Sequence, residues 1–172
     1  MSKKHLITRE IGIDMGHRVT YHGSKCKNLH GHRYTIQATC SGPLYEEGEQ
    51  QGMVLDFGFL KTEMMDIIDK YCDHGMVLWV EDPIVQKIAL DNEFIEHLIQ
   101  TDIDSQGWSF IVDEHEIFGK LYVVNFVPTA ENLAKHWYDR LKPRVAEITG
   151  GQATLEQIKA WETPNCSAQY PV

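Results

Sequence analysis

HGHRYTIQATC, residues 30–40, alternates cleanly: His30, His32, Tyr34, Ile36, Ala38 and Cys40 share one parity, and Arg33, Thr35, Gln37 and Thr39 the other. Successive side chains of a strand leave opposite faces of a sheet, so this is the pattern of a strand with one core face and one polar face. Both imidazoles fall on the core side, at i and i+2, where the strand begins. Upstream, HLITREIGIDMGH (5–17) alternates in the same way, with Ile7, Arg9, Ile11, Ile13, Met15 and His17 in phase. The two segments form a candidate antiparallel pair, and His17 lies on the apolar face of the first.

Working outward, SGPLYEEGEQQG (41–52) reads as a turn-rich hairpin connection. Asp56 is placed to cap a helix carrying Leu60, Met64, Ile67, Ile68 and Tyr71 at helical spacing and ending at Asp73-His74-Gly75. Residues 83–100 continue a helical pattern, with Pro83 at the start and Val85, Ile88, Ile95 and Ile99 on one face. GWSFIV (107–112) and LYVVNFV (121–127) are rich in β-branched and aromatic residues and read as strands. Thr129 caps a helix through Leu133, Trp137 and Leu141 that Pro143 is expected to stop. TLEQIKAWET (154–163) is a last strand, with Ile158, Ala160 and Glu162 on one side. The order predicts an α+β domain over residues 1–172: a sheet with helices on one face, and a helical insertion at about 80–120.

With 172 residues, 42% hydrophobic and 24% charged, the chain suits one globular domain, and it contains no linker or low-complexity run. A formal net charge of −9 argues against a nucleic-acid partner. No apolar run suggests a signal peptide or a membrane span, which points to a cytoplasmic protein without a membrane partner. Cys26, Cys40, Cys72 and Cys166 lack zinc-ribbon spacing and are expected to remain thiols in that compartment. One stretch runs against the acidic background. Arg18, His22, Lys25, Lys27 and Arg33 occur with no acidic residue between 18 and 33, either a solvated loop or a docking place for an anionic small substrate.

Three neutral imidazoles, His17, His30 and His32, would leave the fourth position of a tetrahedral zinc open, as a catalytic centre requires. Taken alone, His-Gly-His on a strand is more often a pair of satisfied polar residues, and the in-phase third histidine favours the metal. Cys26 stands in the cationic loop between them, surroundings that favour a thiolate base or nucleophile over an inert thiol. Cys40 and Cys72, on apolar faces, read as inert. Asp73 beside His74 could orient an imidazole for proton transfer, although adjacent residues often point apart. Glu162, in phase with apolar neighbours, either needs hydrogen-bond donors, such as paired N–H groups of a ligand, or lies at an exposed strand end. His5, His22, His97, His115 and His136 read as surface or structural residues.

His17, CKNLHGH (26–32), GMVLDF (52–57), DHG (73–75), PTAEN (128–132) and WET (161–163) resemble, in order, the motifs of the 6-pyruvoyl-tetrahydropterin synthase family, over residues 6 to 163. The spacing from Cys26 to His30 is similar to that of its bacterial 6-carboxy-5,6,7,8-tetrahydropterin synthase branch. The resemblance implies a zinc-dependent carbon-carbon lyase of queuosine (7-deazapurine) biosynthesis that converts 7,8-dihydroneopterin triphosphate to 6-carboxytetrahydropterin, acetaldehyde and triphosphate. The alternatives are a 6-pyruvoyl-tetrahydropterin synthase, which eliminates triphosphate only, and a non-catalytic pterin- or zinc-binding module. Carried over by position, His17, His30 and His32 would hold Zn2+, Cys26 would be the general base, and Asp73 with His74 would complete proton transfer. Glu162 would grip the pterin ring with Thr129 nearby. The implied fold is the tunnelling fold, an antiparallel four-stranded sheet with helices on one face, assembled into an oligomeric barrel. The implied homo-oligomer is a hexamer with sites shared between subunits. The segment from about Trp79 to Lys120 is longer than a minimal bacterial homologue needs, and reads as a lid, a subunit contact or decoration.

Overall fold

The computed structural model describes residues 4–113 and 118–172. Residues 114–117 of the expected insertion, His115 among them, lie outside that range. The two alternating segments are β1 (His5–His17) and β2 (His30–Gly42), antiparallel in the register His17↔His30, Met15↔His32 and Ile11↔Ile36. Their inward parity is the expected one: Ile11, Ile13, Met15, Tyr34, Ile36, Ala38 and Cys40 are all buried. Residues 43–56 do not lead into another hairpin strand. They curl through a single Tyr45–Gln51 bridge into α1 (Phe57–Met64), where the Asp56 carboxylate caps Gly58 N at 2.5 Å. A π-helical stretch, Met65–Asp69, joins α1 to α2 (Lys70–Cys72).

After α2 comes β3 (Gly75–Trp79), a strand the sequence reading passed over, and then α3 (Pro83–Leu90) and α4 (Glu93–Gln106). The helix expected over 83–100 is therefore two. Asn92 is extended (φ −150°, ψ 101°), and its side chain accepts from Phe94 N and Ile95 N. Asparagine caps a helix better than it continues one. β4 (Trp108–Val112) and β5 (Lys120–Val124) follow, then α5 (Ala130–Ile148), β6 (Thr154–Thr163) and β7 (Cys166–Tyr170). Pro143 lies inside α5 and does not stop it. Leu141 and Val145, both buried, continue the apolar face across the proline, and that burial outweighs the lost backbone bond.

The sheet has the order β4-β5-β3-β1-β2-β6-β7. It is a seven-stranded mixed sheet, not the four-stranded antiparallel one expected: β1–β3 and β3–β5 are parallel, and the other neighbours antiparallel. Nor do the helices keep to one face. α1, α2 and α5 cover the main core, with Leu60, Met64, Ile68, Leu133, Trp137 and Leu141 against the buried residues of β1, β2 and β6. On the opposite face, Val85 of α3 and Ile99 of α4 pack on Leu78, Ile111, Leu121 and Val123. Neighbouring residues of β3 and β5 (Val77 and Leu78, Tyr122 and Val123) therefore enter different clusters. A strand buried on both faces has no polar phase to reveal it, which is why GMVLW (75–79) carries no alternation.

Candidate metal centre and active site

The end of β1, the start of β2, the end of β6 and the start of α5 meet at one end of the sheet. His17 is 1% exposed, and its Nδ1 lies 2.7 Å from Pro128 O. A ring nitrogen bonded to a backbone carbonyl fixes the tautomer and aims the other nitrogen, here Nε2, at the site. Burial lowers the pKa of His17, against the pull of the Pro128 carbonyl and Glu162, so the ring is held in the neutral, ligating form. The Nδ1 of His30 is likewise engaged, 2.8 Å from Asn28 O. Centroids of the three rings are 4.6 Å (His17–His30), 5.4 Å (His17–His32) and 5.0 Å (His30–His32) apart. One nitrogen from each lies within 4.8 Å of the others, a spacing that could hold a metal ion. Three imidazoles, two of them with the far nitrogen tied back to a backbone carbonyl, fit zinc, whose usual ligands they are.

The glycine between His30 and His32 is required by packing. A Cβ on Gly31 would stand 2.9 Å from Met15 O and 3.4 Å from the Cα of Gly16. The two backbones approach closely where the rings on the other face converge.

Glu162 completes the cluster. Its Oε1 accepts from the Tyr34 hydroxyl at 3.1 Å and lies 3.3 Å from His17 Nε2 and 3.6 Å from His32 Nε2. The donor expected for this carboxylate is thus Tyr34, which is fully buried and stands edge-on to both His17 and His32. A cavity of about 240 Å³ opens beside these groups, lined among others by His17, His30, Cys26, Thr129, Glu162 and His22. Thr129 is the N-cap of α5, accepting from Asn132 N. Cys26 sits half-buried in a short 3₁₀ turn, Lys25–Lys27.

Asp73 and His74 form a pair of their own. His74 Nδ1 is 2.8 Å from Asp73 Oδ2, Asp73 Oδ1 accepts from Asp14 N at 2.9 Å, and His74 N donates to Asp14 O at 2.7 Å. His74 has a left-handed φ of 52° and an exposed ring, whose pKa the Asp73 carboxylate raises. This pair does not line the cavity that holds Cys26.

Two expectations are corrected. The cationic stretch is not free to receive an anion throughout: Arg18 is paired with Asp82 and Arg33 with Asp14, each at 2.6 Å. His22, read as surface or structural, lines the cavity, with its Nδ1 accepting from Ser24 N. Sequence also missed Tyr34, Glu131 and Cys166. Tyr34 could have been found, since it sits two residues past His32 on the same parity. Cys166 and Glu131 line the cavity only because β7 and α5 fold back on β6, and no local pattern announces that. Burial pushes the thiols of Cys40 and Cys72 up to about 12, in keeping with inert core cysteines. Among the described residues no helix is long and apolar enough to cross a membrane.

Fold and site define an α+β protein with a three-histidine centre at one end of a mixed sheet, beside a thiol and a carboxylate. The 6-pyruvoyl tetrahydropterin synthase family model matches residues 6–171, and the chain belongs to that family. Among curated relatives, the 6-carboxy-5,6,7,8-tetrahydropterin synthase of Haemophilus influenzae is 30% identical over 95% of this chain and 96% of its own. The enzyme of the same name from Rickettsia bellii is 32% identical over 92% and 94%. An uncharacterised protein of Wolinella succinogenes shares the fold with a TM-score of 0.68 at 22% identity, covering 98% of each chain. The 6-pyruvoyl tetrahydropterin synthase of Caenorhabditis elegans does so at 0.59 and 20%, covering 99% of this chain and 97% of its own.

Proposed function

We propose that the protein is a zinc-dependent 6-carboxy-5,6,7,8-tetrahydropterin synthase. It would convert 7,8-dihydroneopterin triphosphate, with uptake of water, to 6-carboxytetrahydropterin, acetaldehyde and triphosphate, for queuosine (7-deazapurine) biosynthesis in the cytoplasm. The observation that carries this reading is the three-histidine cluster, two of its rings tied back to backbone carbonyls, meeting Glu162 and Cys26 at one cavity. The names of the curated relatives support the carboxy branch over the pyruvoyl one.

Zinc held by His17, His30 and His32 would supply a Lewis acid that binds the side-chain hydroxyls and acidifies the neighbouring C–H bond. The remaining work belongs to the chain. Cys26 Sγ takes the proton from the substrate side chain on the cavity side. Glu162, oriented by the Tyr34 hydroxyl, accepts paired N–H donors of the pterin ring, and Thr129 at the start of α5 flanks it. Asp73 keeps His74 charged to higher pH than a free imidazole, suiting it to return a proton. Since that pair stands apart from the cavity of its own chain, a second copy would bring it to Cys26, in keeping with a homo-oligomer, hexameric by analogy.

Zinc-loaded protein incubated with 7,8-dihydroneopterin triphosphate is expected to yield acetaldehyde and the 6-carboxy pterin together. Triphosphate release without acetaldehyde would move the chain to the pyruvoyl branch. Tight pterin binding without reaction would make it a binding module.

A further inference from the structure

Arg18 and Thr20 follow His17 directly, in the connection from β1 to β2 that carries Cys26. Their side chains converge on Asp82, the N-cap of α3, the first helix of the helical insertion. Arg18 Nε and Nη2 donate to the two carboxylate oxygens at 2.6 Å each, Thr20 Oγ1 donates at 2.5 Å, and Ile84 N donates at 2.9 Å. Asp82 is 0% exposed, so four donors meet a carboxylate that water does not reach. A paired guanidinium in this bidentate geometry fixes direction as well as distance. The same connection is tied to the sheet by Tyr21, edge-on to Trp79 at 6.2 Å. It is tied across itself by Val19 N donating to Cys26 O at 2.8 Å. A continuous path of directional contacts thus runs from α3 through Arg18 and Thr20, past Val19, to the residue that presents its thiol to the cavity.

We infer that Asp82 is a positioning residue: through Arg18 and Thr20, the helical insertion sets where Cys26 stands relative to the three histidines. This rests on the reading of Cys26 as the base. It gives the insertion a part in the reaction, where a lid or a decoration would leave the cysteine-bearing loop to hold itself. The loop's own hydrogen bonds, His22 N to Val19 O, Ser24 N to His22 Nδ1 and Asn28 N to Lys25 O, are short-range, and its 3₁₀ turn buries none of its residues.

Asp82→Asn, Arg18→Gln, Arg18→Lys and Thr20→Val would be compared with the parent, all as zinc-loaded full chains. Thr20→Val leaves the ion pair intact and serves if the Asp82 variant does not fold. Zinc content and melting temperature report the fold, and the rate of Cys26 alkylation by iodoacetamide, mapped by peptide mass spectrometry apart from Cys166, reports the thiol's placement without turnover. Expected are unchanged zinc content, an alkylation rate altered about fivefold or more, and kcat lower by about tenfold with KM little changed, as misplacement of a reacting group produces. Arg18→Lys, which keeps the charge and loses the fork, should fall between the parent and Arg18→Gln. Unaltered alkylation and kcat, whatever the melting temperature does, would reduce the Asp82 lock to a structural staple and overturn the inference. The underlying reading fails separately: full turnover by Cys26→Ala would remove Cys26 as the base while leaving the alkylation result standing.

Discussion

Tyr34 shows how much depends on one hydroxyl. It is fully buried and donates to Glu162 at 3.1 Å, and the same oxygen lies 3.4 Å from His17 Nε2. Burial and the neighbouring Glu162 carboxylate both drive its pKa upward, so the hydroxyl stays a donor at any working pH. Tyr34→Phe would keep the ring packing against His17, His32 and Trp137 and delete only that donor. Since a hydrogen bond to a charged group is worth about 1.5–3 kcal/mol, the expected outcome is a tenfold or larger rise in KM for the pterin substrate, with zinc content unchanged. Steady-state kinetics beside metal analysis would check it, and an unmoved KM would mean that Glu162 is oriented by something else. The site's imidazoles were legible in sequence because a strand's parity is a local property. Tyr34 shares that parity, yet its role depends on Glu162 from a strand far along the chain, and nothing local in either segment specifies that meeting.

Among the elements, the β1–β2 pair and α5 were read from opposite kinds of signal, and one reading failed. Strict alternation fixed the faces of β1 and β2, and the Gly31 contact with Met15 O explains why no side chain is tolerated where they meet. Gly31→Ala is therefore expected to push the strands apart at the His17↔His30 pair and to weaken zinc binding by about 10- to 100-fold, the scale seen when a group supporting the ligands is disturbed. Competition with a chelator would measure it, and a variant with parental affinity would show that the strands can give. Proline at 143, by contrast, predicts a stop, yet the helix runs on to Ile148. The stop rule concerns local hydrogen bonding, whereas α5 is held by Leu141 and Val145 on either side of the proline. Arg144, one residue beyond it, pairs with Glu63 at 2.7 Å. Pro143→Ala should restore the interior bond and stabilise the protein by about 1–3 kcal/mol, less the entropy that proline removes from the unfolded chain. Denaturant unfolding would read this directly, and a loss of stability would show that the proline ring itself is needed at this position. β3 and β7 escaped for a related reason: one is buried on both faces, and the other is an edge strand held by pairing with β6 and by Tyr170 packing on Tyr138 of α5, contacts distant in sequence.

Across the whole molecule, buried titratable groups set how stability depends on pH. His136 accepts from the Tyr122 hydroxyl at 2.7 Å, which in turn accepts from Arg140 at 2.8 Å, and burial with Arg140 and Lys135 nearby lowers its pKa to about 3. The unfolded chain binds a proton there at the ordinary value of 6.5 and the folded chain does not. The contribution is therefore complete above about pH 6.5 and is lost as pH falls toward 3, by at most about 1.4 kcal/mol per unit. His136→Gln should flatten that part of the stability curve relative to the parent, and parallel curves would refute the assignment. The proposed assembly can be tested through the groups proposed to handle protons. Cys26 lines the cavity, and Asp73 with His74 does not. If a second copy supplies His74 to the cavity, Cys26→Ala and His74→Ala chains, each inactive alone, complement when dissociated, mixed equally and reassembled. Random pairing leaves about one site in four with both intact groups, so about a quarter of parental activity should return. A site built within one chain would return none, because each chain would carry its own defect, and the position of His74 would then need a different partner to explain it.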